Sequence, residues 1–263
     1  MLVHKSLMLG GLVVMLSLSG CQADGLFEKD SQWISSASYG SSTHVADHKD
    51  KLYRFITGRL SGSYGIYTNL QETGQSGEAA SGHEVLSESA GVMMRYYALN
   101  GEQTKFDSEW ALAKSTFNMN TGFSYRYSPL LHKHYTLNAA VDDLRIIRAL
   151  YEADKAFQTD KYKAEFESFA ARLYTYNVKD GYLYDFYDET YHTLNSFITL
   201  CYVDLKTLET LPIPTNKKDE LVNKMTGIVT SGYLSDEFLF IKHGMIIILN
   251  PINPKTSIPW NPC

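Results

Sequence analysis

The chain has 263 residues, 44% hydrophobic and 20% charged, so it can bury a sizeable core and is not a disordered polyelectrolyte. Lys and Arg number 24 against 29 Asp and Glu, a net charge of −5 that leaves no concentrated basic face and argues against nucleic acid as a partner. Three cysteines, at positions 21, 201 and 263, are too few and too widely spaced for a disulfide framework or a CxxC metal knuckle.

Residues 1–20 read as an export signal: Lys5 in a short leading region, then an apolar stretch from Leu7 to Leu18 that is short for a mature transmembrane helix. The ending Leu18-Ser19-Gly20-Cys21 resembles a bacterial lipobox, in which Cys21 is acylated and becomes the mature N-terminus. The expectation is a domain lipid-anchored on the extracytoplasmic face of the cell membrane. Residues 21–43 are then the acylated cysteine and a Ser-, Gly- and Ala-rich spacer.

Helical patterns follow. Asp47 to Leu60 places Leu52, Phe55, Ile56 and Leu60 on one stripe, and Ser61 to Ser81 is a polar loop. Ser87 to Leu99 predicts a helix stopped at Asn100-Gly101. Further helices are predicted over Glu102 to Thr116, Asn138 to Phe157, Asp160 to Tyr176, Leu194 to Leu208 and Lys217 to Val229. Aromatic stretches separate them, around Tyr125-Arg126-Tyr127 and from Tyr182 to Tyr187. Short turns alternating with long decorated loops describe a ring of helical hairpins with binding residues on one rim. Residues 44–240 are assigned to this domain. The stretch 241–263 reads as a non-helical tail: no acid follows Glu237, and four of the seven prolines stand at 251, 254, 259 and 262. Such an end suits either a terminal strand and coil or a truncation.

Two acidic clusters open predicted helices. Glu88 lies in Ser87-Glu88-Ser89-Ala90-Gly91, where small neighbours let a bulky substrate approach. Asp142 and Asp143 are adjacent and point about 100° apart on a helix, so one can face the core or cleft while the other meets solvent or Arg145. Two carboxyls converging on a cleft suit glycoside hydrolysis, one donating a proton and the other stabilising positive charge or activating water. The first turn of any helix favours acids through its dipole as well. Tyr125, Tyr127, Tyr182, Tyr184, Tyr187 and Tyr191 could stack on sugar rings or fill the core, and Arg126 could bind a hydroxyl or charged substituent. His132-Lys133-His134 has no third ligand in view, so neither a metal nor a cofactor is expected. No serine-hydrolase elbow, P-loop or dinucleotide fingerprint occurs.

The segment from Leu86 to Leu150 resembles the N-terminal half of glycoside hydrolase family eight, the cellulase, chitosanase and exopolysaccharide hydrolase family, and its divergent lipoprotein branch from Gram-positive bacteria in particular. The resemblance rests on Ser87-Glu88-Ser89-Ala90-Gly91 where that family has a Ser-Glu-Gly-like motif, on Phe106 to Trp110 (FDSEW), and on Ala139 to Leu150 where it has an Asp-x-Asp-x-Asp helix. It implies an all-α (α/α)6 barrel, here with seven or eight of twelve helices and so incomplete at the C-terminus. It further implies Glu88 as general acid, Asp143 holding the sugar at the cleavage point, Asp236 as the last candidate for the base, and inversion at the anomeric carbon. The expected protein is a monomeric, lipid-anchored hydrolase of a β-linked exopolysaccharide. Its rival is a non-catalytic polysaccharide-binding or assembly lipoprotein.

Overall fold

The computed structural model describes residues 45–72, 80, 82–234 and the backbone of a strand at Gly244–Ile246. Cys21, Asp236 and most of the 241–263 tail therefore lie outside the described residues. The chain divides into Met1–Lys51 and Leu52–Cys263. Of the first unit only residues 45–51 are described, as the opening turns of helix α1 (Val45–Arg59). No described helix is long and apolar enough to cross a membrane.

In the second unit, α1 is followed by a small hairpin, β1 (Ser61–Gly62) and β2 (Gly65–Ile66). The predicted stripe on α1 shifts by one position: Tyr53 and Ile56 pack on the core, while Leu52 and Phe55 stay exposed. Strand β3 (Val85–Leu86) runs directly into α2 (Ser87–Leu99), which turns at Asn100-Gly101 into α3 (Gln103–Phe117). Gly101 adopts a left-handed φ of +72°, which an L side chain would disfavour, so the predicted stop falls where a glycine is needed.

Strands β4 (Arg126–Ser128) and β5 (Lys133–His134) then join β3 in an antiparallel sheet ordered β3-β4-β5. Next come α4 (Ala140–Ala156) and α5 (Lys163–Asn177). Two hairpins follow, β6 (Val178–Lys179) with β7 (Tyr182–Leu183) and β8 (Tyr187–Asp188) with β9 (Thr193–Leu194). Strand β10 (Phe197–Thr199), a 3-10 turn at Leu200–Tyr202, α6 (Leu205–Thr210) and α7 (Thr215–Ser231) complete the domain. Strand β11 (Gly244–Ile246) pairs antiparallel with β10.

The predicted helix over Leu194 to Leu208 is not formed. Its first half is strand and 3-10 turn, because the buried Asp185 carboxylate takes the Thr199 N–H at 2.8 Å and the Asn195 side chain bonds both Phe186 N–H and Phe197 C=O. A new helix begins only where Asp204 caps Thr207 N–H at 3.0 Å.

Helices α2 and α4 pack side by side, with α3 against α2 and α5 against α4. The inner pair carries the core: Met94 and Ala98 on α2 meet Leu144, Ile146, Ile147, Leu150 and Ala153 on α4, all at most 1% exposed. Each such Leu or Ile contributes about 1.5–3 kcal/mol by leaving water. Close approach depends on Gly91, where an added Cβ would stand 2.9 Å from the Arg145 Cβ. The short turns after α2 and α4 lie at one end of these helices, and the long loops at the other. There Ser87 N–H bonds Tyr125 C=O, Tyr125 N–H bonds Leu137 C=O, and Ala140 N–H bonds Asp185 C=O. The two inner helices thus start together under a rim of loops.

Candidate active site

Because α2 and α4 start at the same rim, the acids of their first turns converge. Glu88, whose side chain is 49% exposed, lies 3.3 Å from Arg145 Nη1. Arg145 belongs to α4 and bonds Asp142 one turn earlier on the same helix with the same nitrogen. Asp142 is buried, and burial first, then the Glu88 charge, pushes its carboxyl up to about 7 despite Arg145. One guanidinium therefore serves two carboxyls. It cannot neutralise both, so a proton retained near neutral pH relieves the repulsion between them.

The 3-10 turn adds Tyr202 to this group. Its hydroxyl is pushed up by burial and by Cys201, Asp185, Asp142 and Glu88. A narrow, mostly apolar crevice runs from Ala140 and Val141 at the start of α4 to Asp185, Thr199 and Tyr202, with Leu183, Ile198 and Met225 in its wall. Half-buried Tyr125 is fastened to the start of α2 through its carbonyl. The arrangement presents one exposed carboxyl, one buried acid able to hold a proton, a shared cation and a phenol around the mouths of two helices.

Asp143 departs from its expected role at the cleavage point. It is 2% exposed, accepting from Asn138 Nδ2 at 2.8 Å and from Phe123 N–H at 3.2 Å. Burial pushes its carboxyl well up, while those two donors pull the other way. Asn138 continues the network to Asn177 Oδ1 and Tyr187 N–H. Asp143 therefore holds the backbone at Phe123 directly and, through Asn138, the end of α5 and strand β8. The two adjacent acids do point in different directions, and it is Asp142 that turns toward Glu88.

Arg126 is likewise not free to meet a substrate. It is 2% exposed, ion-paired with Glu84 at 3.0 Å and stacked on Tyr135 at 3.8 Å. Tyr135 also donates to Glu84. Tyr127, on the middle strand, is buried against Tyr64 and His134. Tyr184 is 1% exposed. Of the tyrosines expected to stack on sugars, Tyr127 and Tyr184 are buried, Tyr125, Tyr182 and Tyr187 are half-buried, and Tyr191 is exposed. Asp236 and Cys21 lie outside the described residues. Among the described residues no group of three or more His, Cys, Asp or Glu is placed to hold a metal ion.

Sequence reasoning passed over Glu84, Asp185 and Tyr202, and it gave Asp142 and Arg145 no catalytic part. The Asp142–Arg145 spacing of three residues was the available signal, since it places both on one helix face.

No protein-family model matches the chain. No curated protein matches it either. Among solved structures, an α-amylase from Clostridium perfringens is 31% identical over 74% of this chain and 57% of its own, with a TM-score of 0.67. PssZ from Listeria monocytogenes is 22% identical over 63% of this chain and 50% of its own, with a TM-score of 0.53. The endoglucanase Cel10 from Klebsiella pneumoniae, a family 8 glycosyl hydrolase, is 18% identical over 71% of this chain and 60% of its own, with a TM-score of 0.57. The chain spans between half and three-fifths of the length of these three structures. It has a helical-hairpin fold like that of the family 8 glycoside hydrolases, with small sheets added on the loop rim.

Proposed function

We propose that the chain is a glycoside hydrolase of the family 8 type, cleaving a β-linked exopolysaccharide from a lipid anchor at Cys21. The observation that carries this reading is the meeting of Glu88, Arg145 and Asp142 where α2 and α4 begin on the loop-bearing rim. A glycosidic oxygen leaves poorly unless it is protonated, and the sugar ring gains positive charge as the bond breaks. Glu88, the more exposed carboxyl, donates the proton to the leaving oxygen. Arg145 and Asp142 stand beside Glu88, and the negative charge of the group favours the cationic ring. Tyr125 offers an open ring face to a neighbouring sugar. Asp236 is the candidate base that activates water for an inverting displacement.

A second reading, cleavage of an α-linked glucan, is favoured by the 31% identity to the Clostridium perfringens α-amylase. The test is a reducing-end assay of the full chain against β-glucans, chitosan, bacterial exopolysaccharides and soluble starch, with Glu88→Gln beside it. The substitution should cost about 10²-fold or more in rate. Equal rates with a folded variant would remove Glu88 from the chemistry. Binding of a polymer without new reducing ends would instead make the chain a polysaccharide-binding protein.

A further inference from the structure

A hollow of about 760 Å³ opens between the end of α5 and the β8–β9 hairpin, walled by Tyr176, Lys179, Tyr184, Tyr187, His192 and Asn195. Its size falls within the range of about 300–1,000 Å³ usual for small-ligand sites. It shares no residue with the Glu88, Asp142 and Arg145 group. Its lining contains no carboxylate, and Thr175, Thr193 and Ser196 add hydroxyls.

Three features describe what would fit. The Tyr176 and Tyr187 rings stand with centroids 5.2 Å apart and planes inclined at 52°, and both are half-buried, so parts of their faces stay open to a flat partner. Tyr184, on the same wall, is 1% exposed, and its hydroxyl has no hydrogen-bond partner among the described residues. Asn195 is already committed to Phe186 N–H and Phe197 C=O, so it holds the wall rather than the ligand. Aromatic faces beside hydroxyls, with Lys179 supplying a cation at the wall, suit a pyranose ring, which is apolar on its faces and polar around its edge.

We infer that this hollow is a second glycan-binding site, which grips a segment of the polysaccharide away from the bond being cleaved. The inference rests on the glycosidase reading for its ligand class. It makes the chain prefer long polymers to short oligosaccharides, because two footholds on one molecule raise its effective affinity without new chemistry at the acid group.

The test is hydrogen–deuterium exchange on the full chain with carboxymethylcellulose, chitosan or soluble starch, paired with Tyr176→Ala and Tyr176→Phe. Polymer should protect residues 175–179 and 192–196 as well as the starts of α2 and α4. Tyr176→Ala should weaken polymer binding about tenfold, with hydrolysis of a short oligosaccharide unchanged and Tyr176→Phe close to wild type. Should Tyr176→Ala misfold, protection in the unmodified chain decides alone. Protection confined to the acid group, or full polymer binding by Tyr176→Ala, overturns the inference and leaves the hydrolase standing. Protection at the hollow without any hydrolysis supports the site and overturns the hydrolase. No protection at the hollow by any of the three polymers overturns the inference.

Discussion

Arg145 on α4 reaches across to Glu88 on α2, Nη1 to Oε1 at 3.3 Å, while the same nitrogen bonds Asp142. Two carboxyls from two helices thereby compete for one cation. Glu88 is among the causes that hold Asp142 up at about 7. Glu88→Gln should therefore move the Asp142 midpoint downward, since a neighbouring negative charge is removed while Arg145 remains. Carboxyl carbon shifts followed by NMR across pH 4 to 9 would show it. An unmoved midpoint would mean that the two acids do not sense each other.

Asp142 should also cost stability above neutral pH. Its midpoint is about 7 when folded, against about 3.9 for an unfolded aspartate. The unfolded chain gives up this proton first, so folding stability falls as pH rises from about 4 through 7. Asp142→Asn keeps the shape and abolishes the charge. At pH 8 the variant should be more stable than wild type by about 2–4 kcal/mol, and the two should converge near pH 4. Urea unfolding at both pH values checks this. A variant less stable than wild type at pH 8 would show that the Arg145 pair outweighs the burial of the charge.

The Glu84–Arg126 pair is buried on both sides, with side chains 2% and 3% exposed. Arg126→Met should destabilise by about 3–5 kcal/mol, because Glu84 is left charged and enclosed. Adding Glu84→Gln should recover most of that loss. If Arg126→Met instead keeps its stability and loses polymer binding, Arg126 is a substrate residue after all.

Asp143 accepts with both oxygens, from Asn138 and from Phe123 N–H. Asp143→Asn turns one acceptor into a donor that faces another donor, which should cost about 1–3 kcal/mol. Thermal melts should register that cost. Hydrolysis per folded molecule should fall much less than in Glu88→Gln, since Asp143 does not reach the cleft.

Several elements were legible before any coordinates. The helices from Ser87 to Leu99 and around Ala140 to Ala156 carry apolar residues at helical spacing, and Asn100-Gly101 ends the first as an αL stop should. Other signals misled for identifiable reasons. Residues 194–208 carry enough Leu, Ile and Val for a helix, yet Asp185 and Asn195 spend their side chains on the backbone of that stretch and hold it extended. Arg126 between two tyrosines reads as a binding motif until β4 is placed between β3 and β5, where its charge meets Glu84.

The sequence by itself determined the helical periods, the order of hairpins and loops, and the presence of acids at the starts of two helices. Those features depend on residues within a few positions of one another, which is the range over which helix geometry and capping act. Only the tertiary structure decided which of two neighbouring aspartates meets Glu88. The phase of α4 is set by packing Leu144, Ile147 and Leu150 into the core with Gly91 admitting the helix closely, and that rotation turns Asp143 inward and Asp142 toward Arg145. A difference of 100° around a helix is invisible to spacing and settled by burial, because the apolar face must leave water whatever the acids beside it then encounter.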